Sequence, residues 1–261
     1  MSKIIAVVNQ KGGVGKTTTS INLAASLGML GKKVLLIDLD PQGNASTGVD
    51  INKNDFTKSI YELLTEDATV EEVVIKTKFK NLDLIPASIN LAGIDIELLE
   101  RTNKETTFEK ASQLKKMIQP IVANYDYIII DCPPSLGLLT TNALAAVNSV
   151  MIPVQCEFFA LDGVIQLLNT INLAKKNLNP SLDIEGVVLT MFDNRTNLGI
   201  EVIEEIRGSF RDRTYDTLIP RAIKLAEAPS HGQPIIYYYP HGKSAQAYLS
   251  LAKEVISKNG N

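Results

Sequence analysis

The sequence predicts an α/β fold: a doubly wound, mostly parallel sheet with helices on both faces. Three observations predict it. Short apolar runs recur along the chain and are continuous rather than alternating, as strands buried on both faces require. Segments of helical period lie between them, the alternation that builds right-handed crossovers. A glycine-rich turn joins the first apolar run to the first helical segment, the layout of a P-loop NTPase.

Taken in order, the strand candidates are Ile4 to Asn9, Val34 to Asp38, Leu82 to Pro86, Tyr127 to Asp131, Ser149 to Val154 and Ile184 to Thr190. Thr217 to Pro220 is a weaker seventh. From Lys16 to Leu30, Ile21, Ala24, Ala25 and Leu27 fall where a helix can lay them on a sheet, and Gly31 supplies a stop. From Leu198 to Phe210, the residues Leu198, Val202, Ile203, Ile206 and Phe210 form a helical stripe. A last helix near Ala245 to Ile256 is expected to bury Tyr248, Leu249, Ala252 and Ile256. The most polar region, Asp50 to Phe79, reads as an insertion with short helices of its own. No linker, repeat or low-complexity stretch divides the chain, so residues 1–261 are expected to form one domain.

The 261 residues are 45% hydrophobic and 21% charged, ordinary for a soluble globular protein. A formal net charge of −3 gives no bulk signal for a nucleic-acid binder, so any basic surface must be a local patch. The two cysteines, Cys132 and Cys156, make no disulfide framework and lack zinc spacing; both read as small buried hydrophobes in a reducing compartment. The start of the chain lacks the parts of a secretory signal, and no apolar run approaches a membrane span. A cytoplasmic protein is expected.

The turn after the first strand reads Lys11-Gly12-Gly13-Val14-Gly15-Lys16-Thr17-Thr18. Its glycines let backbone N–H groups point at phosphate oxygens, and the following helix adds its positive dipole end. Lys16 is placed to reach β- and γ-phosphates, and the Thr17 hydroxyl to complete a Mg²⁺ shell. Gln10 stands where the general pattern has its first glycine, and Lys11 is an additional cation. A glycine-rich turn without a ligand would not need Gly-Lys-Thr-Thr at a helix start.

Two acidic strand ends belong to the same rim, because ligands of such sheets bind at the carboxyl ends of strands. Asp38 and Asp40 end the second strand, and Asp131 ends the run Tyr127 to Ile130. Asp131 fits the acid that holds Mg²⁺. Asp38 and Asp40 taken alone are also explained by turn formation or helix capping. Asn194 and Pro220–Arg221 follow late strands and are expected to border the adenine.

With Asp38-Leu39-Asp40-Pro41-Gln42-Gly43-Asn44, Asp131-Cys132-Pro133-Pro134-Ser135, Pro153-Val154-Gln155-Cys156-Glu157 and Ala226-Glu227-Ala228-Pro229-Ser230-His231-Gly232, the loop resembles the deviant Walker A ATPases of the ParA/MinD family. The likeness is nearest to chromosomal ParA proteins of the Soj type and runs from about residue 2 to about residue 257. It implies an ATP-bound sandwich homodimer in which Lys11 reaches the partner's phosphates and Gly12 lies at the close approach of two loops. Asp40 is then expected to position the attacking water and Asp38 to assist at Mg²⁺. Proteins of this type bind double-stranded DNA non-specifically, associate with the nucleoid, are stimulated by ParB-type partners and can bear on replication initiation.

The resemblance carries the DNA contact to Arg195 and Arg221, with Lys224 a weaker match and Arg207, Arg211 and Arg213 as possible extensions. Composition alone reads these as a solvated face, since six basic residues from Arg195 to Lys224 stand among five acidic ones. The alternative of a MinD-like, membrane-associated selector of the division site needs a basic amphipathic tail, and Lys253 to Asn261 lacks bulky residues. An iron–sulfur ATPase would need bridging cysteines that Cys132 and Cys156 do not match, and an amide ligase a substrate pocket the sequence does not reveal.

Overall fold

The computed structural model describes residues 2–94, 97, 110–157, 160–193 and 197–260. Eight strands form one sheet in the order β3-β4-β2-β5-β1-β6-β7-β8. They are β1 (Lys3–Val7), β2 (Val34–Asp38), β3 (Ile75–Lys76), β4 (Leu82–Ile85), β5 (Tyr127–Asp131), β6 (Ser149–Gln155), β7 (Asp183–Phe192) and β8 (Thr214–Pro220). Every pairing is parallel except β3 with β4.

Alternation along β1 feeds two cores. Ile4, Ala6 and Val8 join Leu144, Leu167 and Ile206 on one face. Ile5 and Val7 join Leu23, Leu27, Tyr248 and Leu251 on the other. Successive side chains of a strand point to opposite faces, so a strand covered on both must be apolar throughout. One face is packed by helices Leu138–Ala146, Ala160–Asn177 and Asn197–Phe210. The other is packed by α1 (Lys16–Met29) and the C-terminal helix Lys243–Lys258.

The expected strands all form, β2 and β5 within the expected bounds. Gly31 ends α1 in a left-handed turn at φ 91°, with Lys32 N–H donating back to the Leu27 carbonyl. Three expectations are corrected. The Asp50–Phe79 region does contain short helices, Ile60–Leu64 and Val70–Val73, but Leu63, Leu64 and Val73 enter the main core and β3 joins the sheet. The C-terminal helix buries Leu251 and Val255 in place of Leu249 and Ile256, because it packs against α1 and β8 together. Cys132 is buried, whereas Cys156 lies past the end of β6 and is only half-buried.

The C-terminal helix also closes an edge of the sheet. Glu254 accepts hydrogen bonds from the Asp216 and Thr217 N–H groups of β8 at 2.9 and 3.0 Å.

Candidate active site

The register brings the carboxyl ends of three strands together: Val7 of β1 lies opposite Asp131 of β5, and Asp131 opposite Asp38 of β2. The glycine-rich loop leaves β1 over this rim. Gly13 and Gly15 adopt φ of 75° and 89°, which side chains disfavour, and Gly15 is the N-cap of α1. Asn9 ties the loop's start to β6, accepting from Lys11 N–H at 3.0 Å and donating to the Pro153 carbonyl at 2.7 Å. Thr190 fixes its far side by donating to the Val14 carbonyl at 2.8 Å.

The two lysines of the loop differ. Lys16 is 7% exposed and its Nζ folds back to donate to the Lys11 carbonyl at 3.2 Å. Burial lowers its pKa, opposed by the negative charge of Asp131 and, less, of Asp40. A buried ammonium supported by one carbonyl is poised for an anion. Lys11 projects outward, its ammonium 3.6 Å from the exposed Glu157 carboxylate.

The acids are held at different depths. Asp38 is fully buried; Oδ2 accepts from the Ser46 N–H and hydroxyl, each at 2.8 Å, and Oδ1 from Asp40 N–H at 3.2 Å. Burial raises its pKa while these hydrogen bonds restrain the rise. Asp131 is fully buried, with Oδ1 accepting from Ser20 Oγ at 2.8 Å and Oδ2 left without a hydrogen-bond partner. Its pKa is raised by burial and then by the charge of Asp38, against the Thr17 and Ser20 hydroxyls. Asp40, nearer the surface, accepts from Gln42 N–H at 3.0 Å.

An unpartnered, buried carboxylate oxygen beside Thr17 fits a hard divalent cation. Among the described residues no cluster of three or more His, Cys, Asp or Glu could hold a metal. Mg²⁺ uses one or two carboxylates and completes its shell with water and phosphate oxygens, so Asp131 with the Thr17 hydroxyl fits it. The Cys132 thiol is buried, its pKa pushed up by desolvation and the Asp131 charge, and stays a neutral packing group.

Beside Gly15 and Thr18 opens a mainly apolar cleft of about 340 Å³, walled by Thr190, Met191, Pro220 and Arg221, with Tyr248 among its lining. Pro220 and Arg221 thus line a cleft beside the loop; Asn194 and Arg195 lie outside the described residues. Arg221 is exposed, and Lys224 is exposed but pairs with Glu227 at 2.9 Å. The suggested extension through Arg207, Arg211 and Arg213 leads away from Arg221, toward the other end of β8. Arg211 and Arg213 precede β8 and Arg221 follows it, with the seven residues of the strand, about 23 Å of extended chain, between them. Arg213 is also paired with Asp183 at 2.8 Å, and Arg207 reaches the Asp216 carbonyl at 3.5 Å.

Sequence reasoning missed Ser20, Ser46, Thr190 and Asn9. Ser20 alone carried a signal, one helical turn after Lys16 on α1.

The strand–loop–helix phosphate cradle, the buried lysine and the paired strand-end acids define an ATPase of the P-loop class. A family model described as an AAA domain matches residues 2–184. The sporulation initiation inhibitor protein Soj of Bacillus subtilis is 58% identical over 98% of both chains. The chromosome partitioning protein ParA of Myxococcus xanthus is 48% identical over 99% of this chain and 89% of its own. The crystal structure of cobyrinic acid a,c-diamide synthase from Mycobacterium smegmatis with bound ADP and magnesium superposes with a TM-score of 0.82, at 34% identity over 100% of this chain and 97% of that one. The chain belongs to the ParA/Soj family of chromosome-partitioning ATPases.

Proposed function

We infer that this protein is an ATP-dependent partitioning switch. It binds ATP and Mg²⁺, forms a sandwich homodimer, holds DNA non-specifically at the nucleoid, and lets go when hydrolysis is stimulated by a ParB-type partner. The observation that carries the reading is the division of labour between the loop's lysines. Lys16 serves its own phosphate site, whereas Lys11 faces outward with only an exposed partner. The Soj and ParA relatives support the partitioning role.

In this reading the N–H groups of Gly13 to Thr18, with Lys16, bind the phosphates. Thr17 and Asp131, assisted by Asp38, hold the metal ion. Mg²⁺ when bound neutralises charge on the phosphate oxygens. Asp40, on the surface side of the acids, orients the attacking water and accepts its proton. Lys11 of each subunit stabilises charge on the partner's nucleotide, so dimerisation senses the γ-phosphate. Thr190, Met191, Pro220 and Arg221 border the base, and Arg221 and Lys224, with Arg195, contact DNA phosphates. One domain spanning 1–261 is part of the proposal; the eight strands among the described residues share one sheet.

The MinD-like membrane alternative is less well supported. The apolar face of the C-terminal helix is already spent on Tyr248, Leu251 and Val255 inside the core. No described helix is long and apolar enough to cross a membrane.

The deciding experiment measures binding of the Asp40→Ala protein to non-specific duplex DNA at low salt, with ATP–Mg²⁺ against ADP–Mg²⁺. ATP-only binding that weakens as salt rises supports the switch. No binding with either nucleotide would remove DNA from the proposal and leave the ATPase.

A further inference from the structure

Between the acids of the active site and the segment bearing Arg221 and Lys224, the chain forms a continuous path with little slack. It starts at Asp38, whose carboxylate is held by Ser46. Backbone hydrogen bonds leave no free stretch from there: Gly43 N–H donates to the Asp40 carbonyl, Val49 and Ile51 to Ser46, and Asp50 to Thr47. The short helix Asn44–Thr47 is pressed onto α1 at Gly48, where a Cβ would lie 2.4 Å from Ile21 Cδ1.

The segment ends at Asp50, a non-glycine residue at φ 63° paired with Lys78. Asp50 abuts Gly232, itself at φ 59°. A Cβ on Gly232 would come within 2.5 Å of Asp50 Oδ1 and 3.1 Å of its Cα. Two left-handed residues from distant parts of the chain thus meet with no space between them. Gly232 closes a rigid unit in turn. Helix Ile223–Glu227 continues into the 3-10 turn Ala228–His231, and Arg221 and Lys224 sit at its start. Beyond Gly232 the chain is tied to the phosphate-loop helix, since Ile235 N–H donates to Asn22 Oδ1 at 2.6 Å.

We propose that the Asp50–Gly232 contact transmits nucleotide state from the Asp38–Asp40 segment to the segment carrying Arg221 and Lys224, so that each subunit's DNA surface is set from within as well as by dimerisation. The proposal rests on the reading of that surface as a DNA contact. A packed contact between two hydrogen-bonded units moves both or neither. A movement of Ser46 as Asp38 meets a cation is therefore carried to Gly232.

The test is hydrogen exchange of residues 221–233 with ATP–Mg²⁺ and with ADP–Mg²⁺, together with DNA affinity in both states. Three proteins are compared: wild type, Asp50→Gly, which keeps the left-handed backbone but removes the side chain, and Lys78→Ala, which removes the ion pair and the Lys78–Phe79 ring contact but leaves the Asp50–Gly232 contact. Wild type and Lys78→Ala are expected to show an ATP-dependent change in exchange. Asp50→Gly is expected to bind ATP and dimerise normally, lose that change, and reduce the ATP:ADP affinity ratio by a factor in the range of about 5–150 found for coupled sites. An Asp50→Gly protein that keeps both responses overturns the proposal, as does a wild type whose 221–233 amides ignore the nucleotide. Gly232→Ala, which crowds the contact from the other side, gives the same decision should Asp50→Gly fail to fold. If wild type never binds DNA, the functional reading fails, while the exchange data still judge the coupling.

Discussion

Ser20 donates its hydroxyl to one oxygen of Asp131 at 2.8 Å and leaves the other buried without a partner. The serine thus orients the carboxylate, and the bare oxygen is what a cation would complete. Without a cation, burial and the neighbouring Asp38 charge raise the Asp131 pKa. A carboxyl raised above its ordinary 3.8 contributes stability that is fully present below that value and lost as pH climbs through the folded one. Asp131→Asn is therefore expected to stabilise the metal- and nucleotide-free protein at pH 8. The gain is about 1.4 kcal/mol for each pH unit by which the acid is displaced, and it shrinks toward pH 5. Urea unfolding in EDTA at the two pH values reads it; an equal difference at both would rule out this origin.

Gly12 differs from its neighbours Gly13 and Gly15 in having no positive φ, and a Cβ built on it meets nothing within 4 Å. Inside one chain a side chain is tolerated there. Gly12→Val is expected to change stability by no more than about 0.5 kcal/mol and to retain ATP binding. It should nevertheless block the ATP-dependent dimer in sedimentation. A normal dimer would remove the close approach of two loops from the proposed assembly.

Asp40 is 9% exposed where Asp38 and Asp131 are fully buried, and one of its oxygens accepts from Gln42 N–H. Asp40→Ala should lower the hydrolysis rate about 100-fold or more while leaving ATP bound and the dimer long-lived. Phosphate release under single-turnover conditions measures this. An unchanged rate would assign the water to another group.

The two ends of β8 make a matched comparison. Arg221→Ala should lower the salt dependence of DNA binding by about 0.9 in log–log slope for each phosphate that the arginine neutralises. Arg213→Ala, at the other end and paired with Asp183, should leave the slope alone. Equal effects from both would mean that the surface runs the length of the strand.

Gly28 tests the packing of α1. Alanine is the better helix former by up to about 1 kcal/mol, but its Cβ would stand 2.4 Å from the Lys80 carbonyl oxygen. The clash should win, with Gly28→Ala destabilising by about 1–3 kcal/mol in urea unfolding. A stabilised variant would show that the Lys80 turn yields easily.

The parts of this molecule legible in its sequence are those specified locally. Tyr127–Asp131 is a strand because four consecutive apolar residues precede an acid, and Lys16–Met29 a helix because its apolar residues repeat with the turn. The phosphate loop is likewise local, since its glycines and lysines act within eight residues. What stayed hidden depends on partners far along the chain. Thr190 supports a carbonyl 176 residues away, and Ser20 a carboxylate 111 residues away. Neither leaves a local pattern. Leu249 and Leu251 are equally apolar, and only the simultaneous docking of their helix on α1 and β8 decides which is buried. β3, two residues long and antiparallel, is a strand only because β4 is there to pair with it.

The carboxylate of Glu254 across the backbone of β8 has a consequence for higher-order assembly. An open strand edge invites the same edge of another molecule and can propagate into fibres. Here Glu254 engages the Asp216 and Thr217 N–H groups of the edge strand, and the opposite edge is a strand of two residues, Ile75 and Lys76. Neither end of the sheet is a good template for polymerisation. Copies of this chain can therefore be concentrated without their sheets joining edge to edge.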